Sequence, residues 1–250
     1  MFRAVFEDAR KWRYIVETVH ALVEEAEFKA TPDGLSLKAI DRSKVAMVEL
    51  ELPSHSFEDY ACEKEMKIGV NLDEMRKVMR RCRAGDKLEL EADPQTNRII
   101  LRFRGAATRT FKLPLLRIGA AELRSPNVPI KAKVEISAKA LEEAIKDAAT
   151  VSDSLEMRLD ETGLTIVARG ELGDVEVKID QESGALITEP EIEEPAHASY
   201  SIEHLENILK AVKASETVVI GFATNAPLKM DFNITGGGKI TYYLAPRAAA

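Results

Sequence analysis

Three observations on the 250-residue chain predict an α+β fold of two similar domains, each an antiparallel β-sheet carrying two helices. The apolar pattern repeats in register at an offset of about half the chain. Each half alternates strand-period and helix-period segments in the same order. A stretch containing Pro126 and Pro129 interrupts the pattern between the halves.

The repeat is weak in identity and firm in phase. Phe28 through Leu37 reads F-K-A-T-P-D-G-L-S-L, and Met157 through Ile166 reads M-R-L-D-E-T-G-L-T-I, so Gly34, Leu35 and Leu37 map onto Gly163, Leu164 and Ile166. Trp12, Val16, Val19 and Leu22 map at the same spacing onto Leu141, Ile145, Ala148 and Val151. Downstream the offset grows by one residue and then holds. Leu72, Met75, Val78 and Met79 fall on Ile202, Leu205, Ile208 and Leu209, and Leu88 and Leu90 fall on Val218 and Ile220. A pattern that keeps register through helix, hairpin and strand signals is a duplicated domain.

Taken in order, the N-terminal M-F-R-A-V-F-E-D reads as a strand. Residues 9–22 carry Trp12, Ile15, Val16, Val19 and Leu22 at helical spacing, and Val23 follows them. Pro32-Asp33-Gly34 marks a hairpin turn in which Gly supplies a positive φ, and Glu161-Thr162-Gly163 does so in the second half. Ala46 through Leu52 alternates apolar and charged residues up to Pro53, which predicts one buried and one wet face. Residues 72–82 form a second helix, with Asn71 or Asp73 as cap, acids in its first turn and Arg80 and Arg81 in its last. Strands at 87–91 and 98–104 flank the turn Asp93-Pro94-Gln95-Thr96-Asn97. The domains are set at 1–114 and 132–250. The linker at 115–131 keeps Ile118, Leu123, Val128 and Ile130 and is expected to lie on the protein surface, as a strap or as one wall of a binding groove.

Composition narrows the function. A hydrophobic fraction of 45% and a charged fraction of 31% describe a soluble globular protein, and no apolar run approaches the ~18 residues of a membrane span. No signal-peptide core is present. Cys62 and Cys82 are isolated, which predicts small buried hydrophobes in a reducing, intracellular setting. The high Glu and Lys content hints at a thermophilic source. A net charge of -7 argues against a general nucleic-acid coat protein.

The charge is nonetheless segregated. Residues 71–85 hold Arg76, Lys77, Arg80, Arg81 and Arg83 against only Asp73 and Glu74. The first helix adds Arg10, Lys11 and Arg13. The helices of the second half carry Lys139, Lys146, Lys210 and Lys213, diluted by Glu142, Glu143, Glu203 and Glu206. A basic helical layer is what non-specific phosphate contact requires, although charge counts alone favour solvated helix faces. Catalytic signals are absent: His20, His55, His197 and His204 sit in no metal-binding spacing, and no nucleophile elbow or dinucleotide fingerprint occurs. Gly236-Gly237-Gly238-Lys239 lies between two strand patterns and reads as a hairpin turn, not a phosphate loop. The expectation is a binding protein without cofactor, metal or enzymatic activity.

Several segments then carry a resemblance. Lys239 through Arg247 (K-I-T-Y-Y-L-A-P-R), Ile40 through Val48 (I-D-R-S-K-V-A-M-V), Gly69-Val70-Asn71-Leu72, Arg169 through Asp174 (R-G-E-L-G-D) and Ala226-Pro227-Leu228 resemble, in order, the proliferating cell nuclear antigen family of DNA sliding clamps. The resemblance implies a closed ring of three subunits whose helices line a hole around duplex DNA. It further implies tethering of DNA polymerase, clamp loader, flap endonuclease and DNA ligase through a hydrophobic groove. The location implied is cytoplasmic and nucleoid-associated in an archaeal cell, or nuclear in a eukaryotic one. Enclosure would also let a net-acidic protein hold DNA through weak, sliding contacts.

Matched by position, the family's pore-facing basic sites fall on Arg13, Lys77, Arg80, Lys146 and Lys210, with His20 where the family often has a basic residue. Spacing alone adds Arg76, Arg81, Arg83 and Lys213. The family's partner pocket falls on Ile40, Val45, Met47, Leu123, Ile130, Pro227, Tyr243, Ala245 and Pro246, and nearness to the chain end predicts exposure of Tyr243 and Pro246. Ring closure is expected between edge strands, Thr108, Arg109, Thr110, Phe111, Lys112 and Leu113 against Asp174, Val175, Glu176, Val177, Lys178 and Ile179 of a neighbour. The neighbour is either an identical chain or an unlike subunit of a mixed ring. A checkpoint-type clamp subunit, an unrelated two-domain DNA-binding module and a nuclease are the competing classes; the last needs an acid cluster that the spacing does not supply.

Overall fold

The computed structural model describes residues 1–93, 95–119, 123–171, 173–234 and 236–248. Pro94 of the expected turn, residues 120–122 of the linker and Leu172 of the Gly170–Gly173 turn lie outside the described residues. The chain divides into two compact units. The first holds Met1–Arg42, Val48–Arg124 and Ile234–Ile240, and the second Ser43–Met47, Ser125–Asn233 and Thr241–Ala250.

In the first unit the elements run β1 (Phe2–Phe6), α1 (Ala9–His20), β2 (Glu25–Thr31), β3 (Gly34–Ile40), β4 (Ala46–Pro53), β5 (Asp59–Cys62), β6 (Met66–Asn71), α2 (Leu72–Met79), β7 (Lys87–Asp93), β8 (Arg98–Arg104) and β9 (Thr108–Pro114). Strands β5-β1-β7-β8-β9 form one antiparallel sheet, and β4-β3-β2-β6 are successive neighbours in another. Trp12 is buried between Phe6 and Phe28, with ring centroids 5.5 and 5.2 Å away. Burying a side chain of that size contributes roughly 1.5–3 kcal/mol or more.

The second unit runs β10 (Ala132–Ser137), α3 (Ala138–Ala149), β11 (Ser154–Asp160), β12 (Gly163–Gly170), β13 (Gly173–Asp180), β14 (Glu191–Ile192), β15 (Ala196–Ser201), α4 (Ile202–Ile208), a 3₁₀ turn (Leu209–Ala214), β16 (Thr217–Phe222), β17 (Leu228–Ile234) and β18 (Gly238–Leu244). Strands β14-β10-β16-β17-β18 are successive neighbours, and β13-β12-β11-β15 form a four-stranded sheet. The strand order of the first unit is therefore repeated. Its caps recur only in part: Asp8 Oδ1 accepts from Arg10 N at 2.9 Å before α1 and Ser137 Oγ from Ala140 N at 3.4 Å before the matched α3, whereas Asn71 Oδ1 accepts from Glu74 N at 2.9 Å before α2 and Ser201 makes no side-chain cap before the matched α4. The matched glycines do matched work. A Cβ on Gly34 (φ +154°) would stand 2.2 Å from Leu52 O, and one on Gly163 (φ +138°) 2.3 Å from Ile179 O.

Four expectations need correction. Helix α2 ends at Met79, and Arg80 and Arg81 follow it; the bond from Arg81 N to Val78 O, 2.9 Å, tightens the chain out of the α-helix. Strand β4 has no wet face over most of its length: Glu49 is buried, with Lys38 Nζ 3.7 Å away to offset its charge, and Glu51 alone is exposed. Tyr243 is only 9% exposed because it lies within β18, a full-length strand, and not on a loose chain end. Pro246 is half-buried. Cys62 is buried as expected, but Cys82 is only half-buried, since it follows α2 on the way to the basic loop.

Candidate nucleic-acid interface and partner groove

Helices α1 and α2 pack against each other in the first unit. On α1, Arg13 Nε donates to Glu17 Oε1 at 2.8 Å, which raises the guanidinium's pKa, and the same group lies against the Cys82 thiol, itself pushed up by burial. His20 Nε2 stands 2.8 Å from Asp73 Oδ1, so α1 and α2 are joined by a polar pair, and the contact holds the Asp73 carboxyl below its usual range. On α2, Arg76 reaches Asp73 at 3.5 Å and Lys77 Nζ donates to Glu74 Oε1 at 2.7 Å. Arg80, Arg81 and Arg83 are exposed, and among the described residues none of the three forms an ion pair. These are cations with hydrogen-bonding capacity left for a phosphate.

Sequence reasoning missed the residue that fastens this loop. Asp86, 3% exposed, accepts from Arg83 N at 2.7 Å and from Arg109 Nη2, while its carbonyl accepts from Ala9 N at 2.8 Å. One aspartate thus ties the basic loop to α1 and to β9. No local pattern announces its link to α1 and β9, because Ala9 and Arg109 lie far away in sequence.

The second unit repeats the apolar side of this arrangement and not its charge. Lys146 on α3 is exposed but held by Glu142 at 3.0 Å and Glu143 at 3.1 Å, which together raise its pKa. Lys210 and Lys213 fall on the 3₁₀ turn, exposed and without an ion pair among the described residues.

Both expected edge strands are edges. Strand β9 ends the five-stranded sheet and β13 ends the four-stranded one. On β9, Thr108, Thr110 and Lys112 are exposed while Arg109, Phe111 and Leu113 are half-buried. On β13, Asp174, Glu176 and Lys178 are exposed, Val175 and Val177 half-buried and Ile179 buried. Each strand leaves one row of backbone groups unpaired in its sheet. Arg109 is drawn back into its own unit: it donates to Arg81 O at 2.7 Å and lies 5.1 Å over the Phe103 ring.

The nine residues of the expected partner groove divide between the units. In the first, half-buried Ile40 and Leu123 line a cavity of about 690 Å³ over the outer side of β2 and β3, with Val23, Glu25 and Lys38. In the second, Val45, Ile130, Pro227, Ala245 and Pro246 are half-buried, while Met47 and Tyr243 are buried. Ala245 N donates to Val45 O at 2.9 Å, and Arg247 N to Ser199 O at 2.8 Å, which fixes the last residues as an ordered surface. Among the described residues no group of His, Cys, Asp and Glu could hold a metal ion, and no helix is long and apolar enough to cross a membrane.

Comparison with known proteins places these features in a family. The model of the proliferating cell nuclear antigen N-terminal domain matches residues 1–120, and that of its C-terminal domain matches residues 124–247. A DNA polymerase sliding clamp of Thermofilum pendens is 40% identical over 248 residues, 99% of each chain. One from Pyrococcus horikoshii is 37% identical over 246 residues, 98% of each. The crystal structure of the PCNA from Thermococcus kodakaraensis is similar with a TM-score of 0.94 at 30% identity, covering 99% of this chain and 100% of that one.

Proposed function

The chain belongs to the proliferating cell nuclear antigen family of non-enzymatic DNA polymerase sliding clamps, and from that membership we propose that three copies close into a ring around duplex DNA. Arg80, Arg81 and Arg83 carry this reading: exposed, without ion pairs among the described residues, and anchored by Asp86. Together with Arg13, Arg76, Lys77, Lys146, Lys210 and Lys213 they touch phosphates without reading bases. Affinity of that kind, about 10⁻⁴–10⁻⁶ M at physiological salt, permits sliding, and enclosure supplies the persistence.

Closure pairs β9 of one subunit with β13 of the next. Exposed Lys112 on one edge and exposed Asp174 on the other, where Glu176 is already paired with Lys178 at 3.2 Å, give a single chain both complementary sides, which supports a ring of identical subunits. A chain that works only with unlike partners would stay monomeric or dimeric alone, and light scattering over a dilution series separates the two. The half-buried apolar residues from Ile40 to Pro246 receive a short partner helix with aromatic anchors, as carried by polymerase, clamp loader, flap endonuclease or ligase.

The direct test is the Lys77→Glu/Arg80→Glu variant on primed circular DNA. Loss of polymerase stimulation with an unchanged molar mass is expected. Stimulation that survives would remove these residues from the DNA-contacting surface.

A further inference from the structure

Strand β6 ends the run β4-β3-β2-β6, so its outer edge has no strand beside it. One residue of the linker takes that place. Leu116 N donates to Gly69 O at 2.8 Å, and the two residues form an isolated antiparallel bridge. The approach is closer than a side chain would allow. A Cβ on Gly69 would stand 2.3 Å from Leu116 O, 3.0 Å from Leu116 C and 3.3 Å from Ile118 Cγ1. Two of these three atoms are backbone and cannot swing aside, so any other residue at 69 must lift the linker off the strand.

Glycine inside a strand is otherwise unfavourable, since it adds backbone entropy to the unfolded chain and packs nothing. Gly69 is buried and not in the positive-φ region, so no turn requires it. What requires it is the linker. Further along the same linker, Leu123 lines the 690 Å³ cavity together with Ile40. The linker is fastened at its start by two neighbouring bonds, Leu115 N to Asn97 O at 3.1 Å and Leu116 N to Gly69 O, and only the second depends on the missing side chain.

We propose that Gly69 is a positioning residue for partner recognition: its missing side chain seats the linker on β6, and that seat fixes the height of Leu123 above Ile40. Gly69 touches no partner itself. It acts through Leu116, by presenting one wall of the apolar groove already in place, so that binding does not have to order it. The inference rests on the reading of Ile40 and Leu123 as part of the partner groove, and the test separates the two.

A fluorescein-labelled peptide carrying one helical turn with aromatic anchors is titrated against the full chain and four variants. Tyr243→Ala tests the groove; Gly69→Ala, Gly69→Val and Leu116→Pro test the seat. Leu116→Pro deletes the N–H that bonds Gly69 O and leaves the sheet untouched. Gly69→Ala and Leu116→Pro are expected to weaken the peptide about tenfold, and Gly69→Val more, because preorganisation is lost. Molar mass should hold in every variant. Unchanged affinity in Gly69→Ala and Leu116→Pro, with Tyr243→Ala weakened, overturns the seat and leaves the groove standing. Unchanged affinity in Tyr243→Ala removes the groove and the inference with it. Should the Gly69 variants fail to fold, Leu116→Pro decides alone.

Discussion

The α1/α2 pair of the first unit and the α3/α4 pair of the second derive from one repeat, yet only their buried sides agree. Trp12, Val16 and Val19 are fully buried, as are Leu141, Ile145 and Ala148 at matched positions. Outward, the first unit offers Arg80, Arg81 and Arg83 without ion pairs among the described residues, while the second holds its Lys146 between Glu142 and Glu143. A repeat must preserve the face that excludes water; its wet face is free to specialise. Arginine also presents a planar fork that grips phosphate in two bonds, where lysine offers a point charge. The first unit is therefore expected to supply most of the attraction for DNA.

The largest test of that asymmetry is charge reversal on matched turns. Arg80→Glu/Arg81→Glu should abolish polymerase stimulation on circular DNA, whereas Lys210→Glu/Lys213→Glu should leave a measurable part of it. The first pair should also flatten the dependence of DNA affinity on salt, by about one unit of log–log slope for each phosphate that is no longer neutralised. Equal losses from both variants would mean that the two faces contribute alike.

A second difference lies on the matched strands β7 and β16. In the first unit Glu89, 5% exposed, accepts from Arg3 at 3.1 Å, Arg102 at 2.7 Å and Arg104 at 2.6 Å. The matched residue in the second unit is Val219, with no charge to satisfy. Burial pushes the Glu89 carboxyl up, but hydrogen bonds from Arg3 and Arg104 and the nearness of Arg102 outweigh it, and the net shift is downward. A carboxyl lowered by folding stabilises the protein above the ordinary glutamate value of about 4.3, and that contribution disappears as pH falls through the folded value. Trp12, the one tryptophan of the chain, reports the first unit. Glu89→Gln should cost about 1–3 kcal/mol at neutral pH, followed by Trp12 fluorescence in urea, and the loss should shrink below about pH 4. A loss that stays constant down to about pH 2 would exclude the ionised carboxylate as its source.

Much of this architecture was legible because burial leaves a periodic trace. Trp12 through Val19 at helical spacing, the paired Gly34 and Gly163, and Asn71 as a cap are local signals, and each fell where the pattern put it. What escaped depended on contacts distant in sequence. Tyr243 reads as a chain-end residue, but membership in β18 buries it. Glu49 reads as the wet side of a strand and is covered. Asp86 and Gly69 read as nothing in particular, since their partners Arg109 and Leu116 come from other elements. The candidate DNA-contacting residues were legible as charge, whereas which of them are already neutralised by a neighbour needed coordinates.

The mildest way to erase the asymmetry is to release the second unit's own cation. Lys146 is exposed and shares its ammonium with Glu142 and Glu143, so its field at a phosphate is cancelled by two nearby carboxylates. Replacing both by glutamine keeps the shape of α3 and most of its helix propensity, and removes only the negative charge. The Glu142→Gln/Glu143→Gln variant should bind DNA a few-fold more tightly at low salt. That gain should fade as added salt shortens the Debye length to about 8 Å at physiological ionic strength. The same double change in a Lys146→Ala background should give a smaller gain, because the released cation is gone and only repulsion has been relieved. Equal gains in the two backgrounds would show that Lys146 does not face the DNA, and the second unit's contribution would then rest on Lys210 and Lys213 alone.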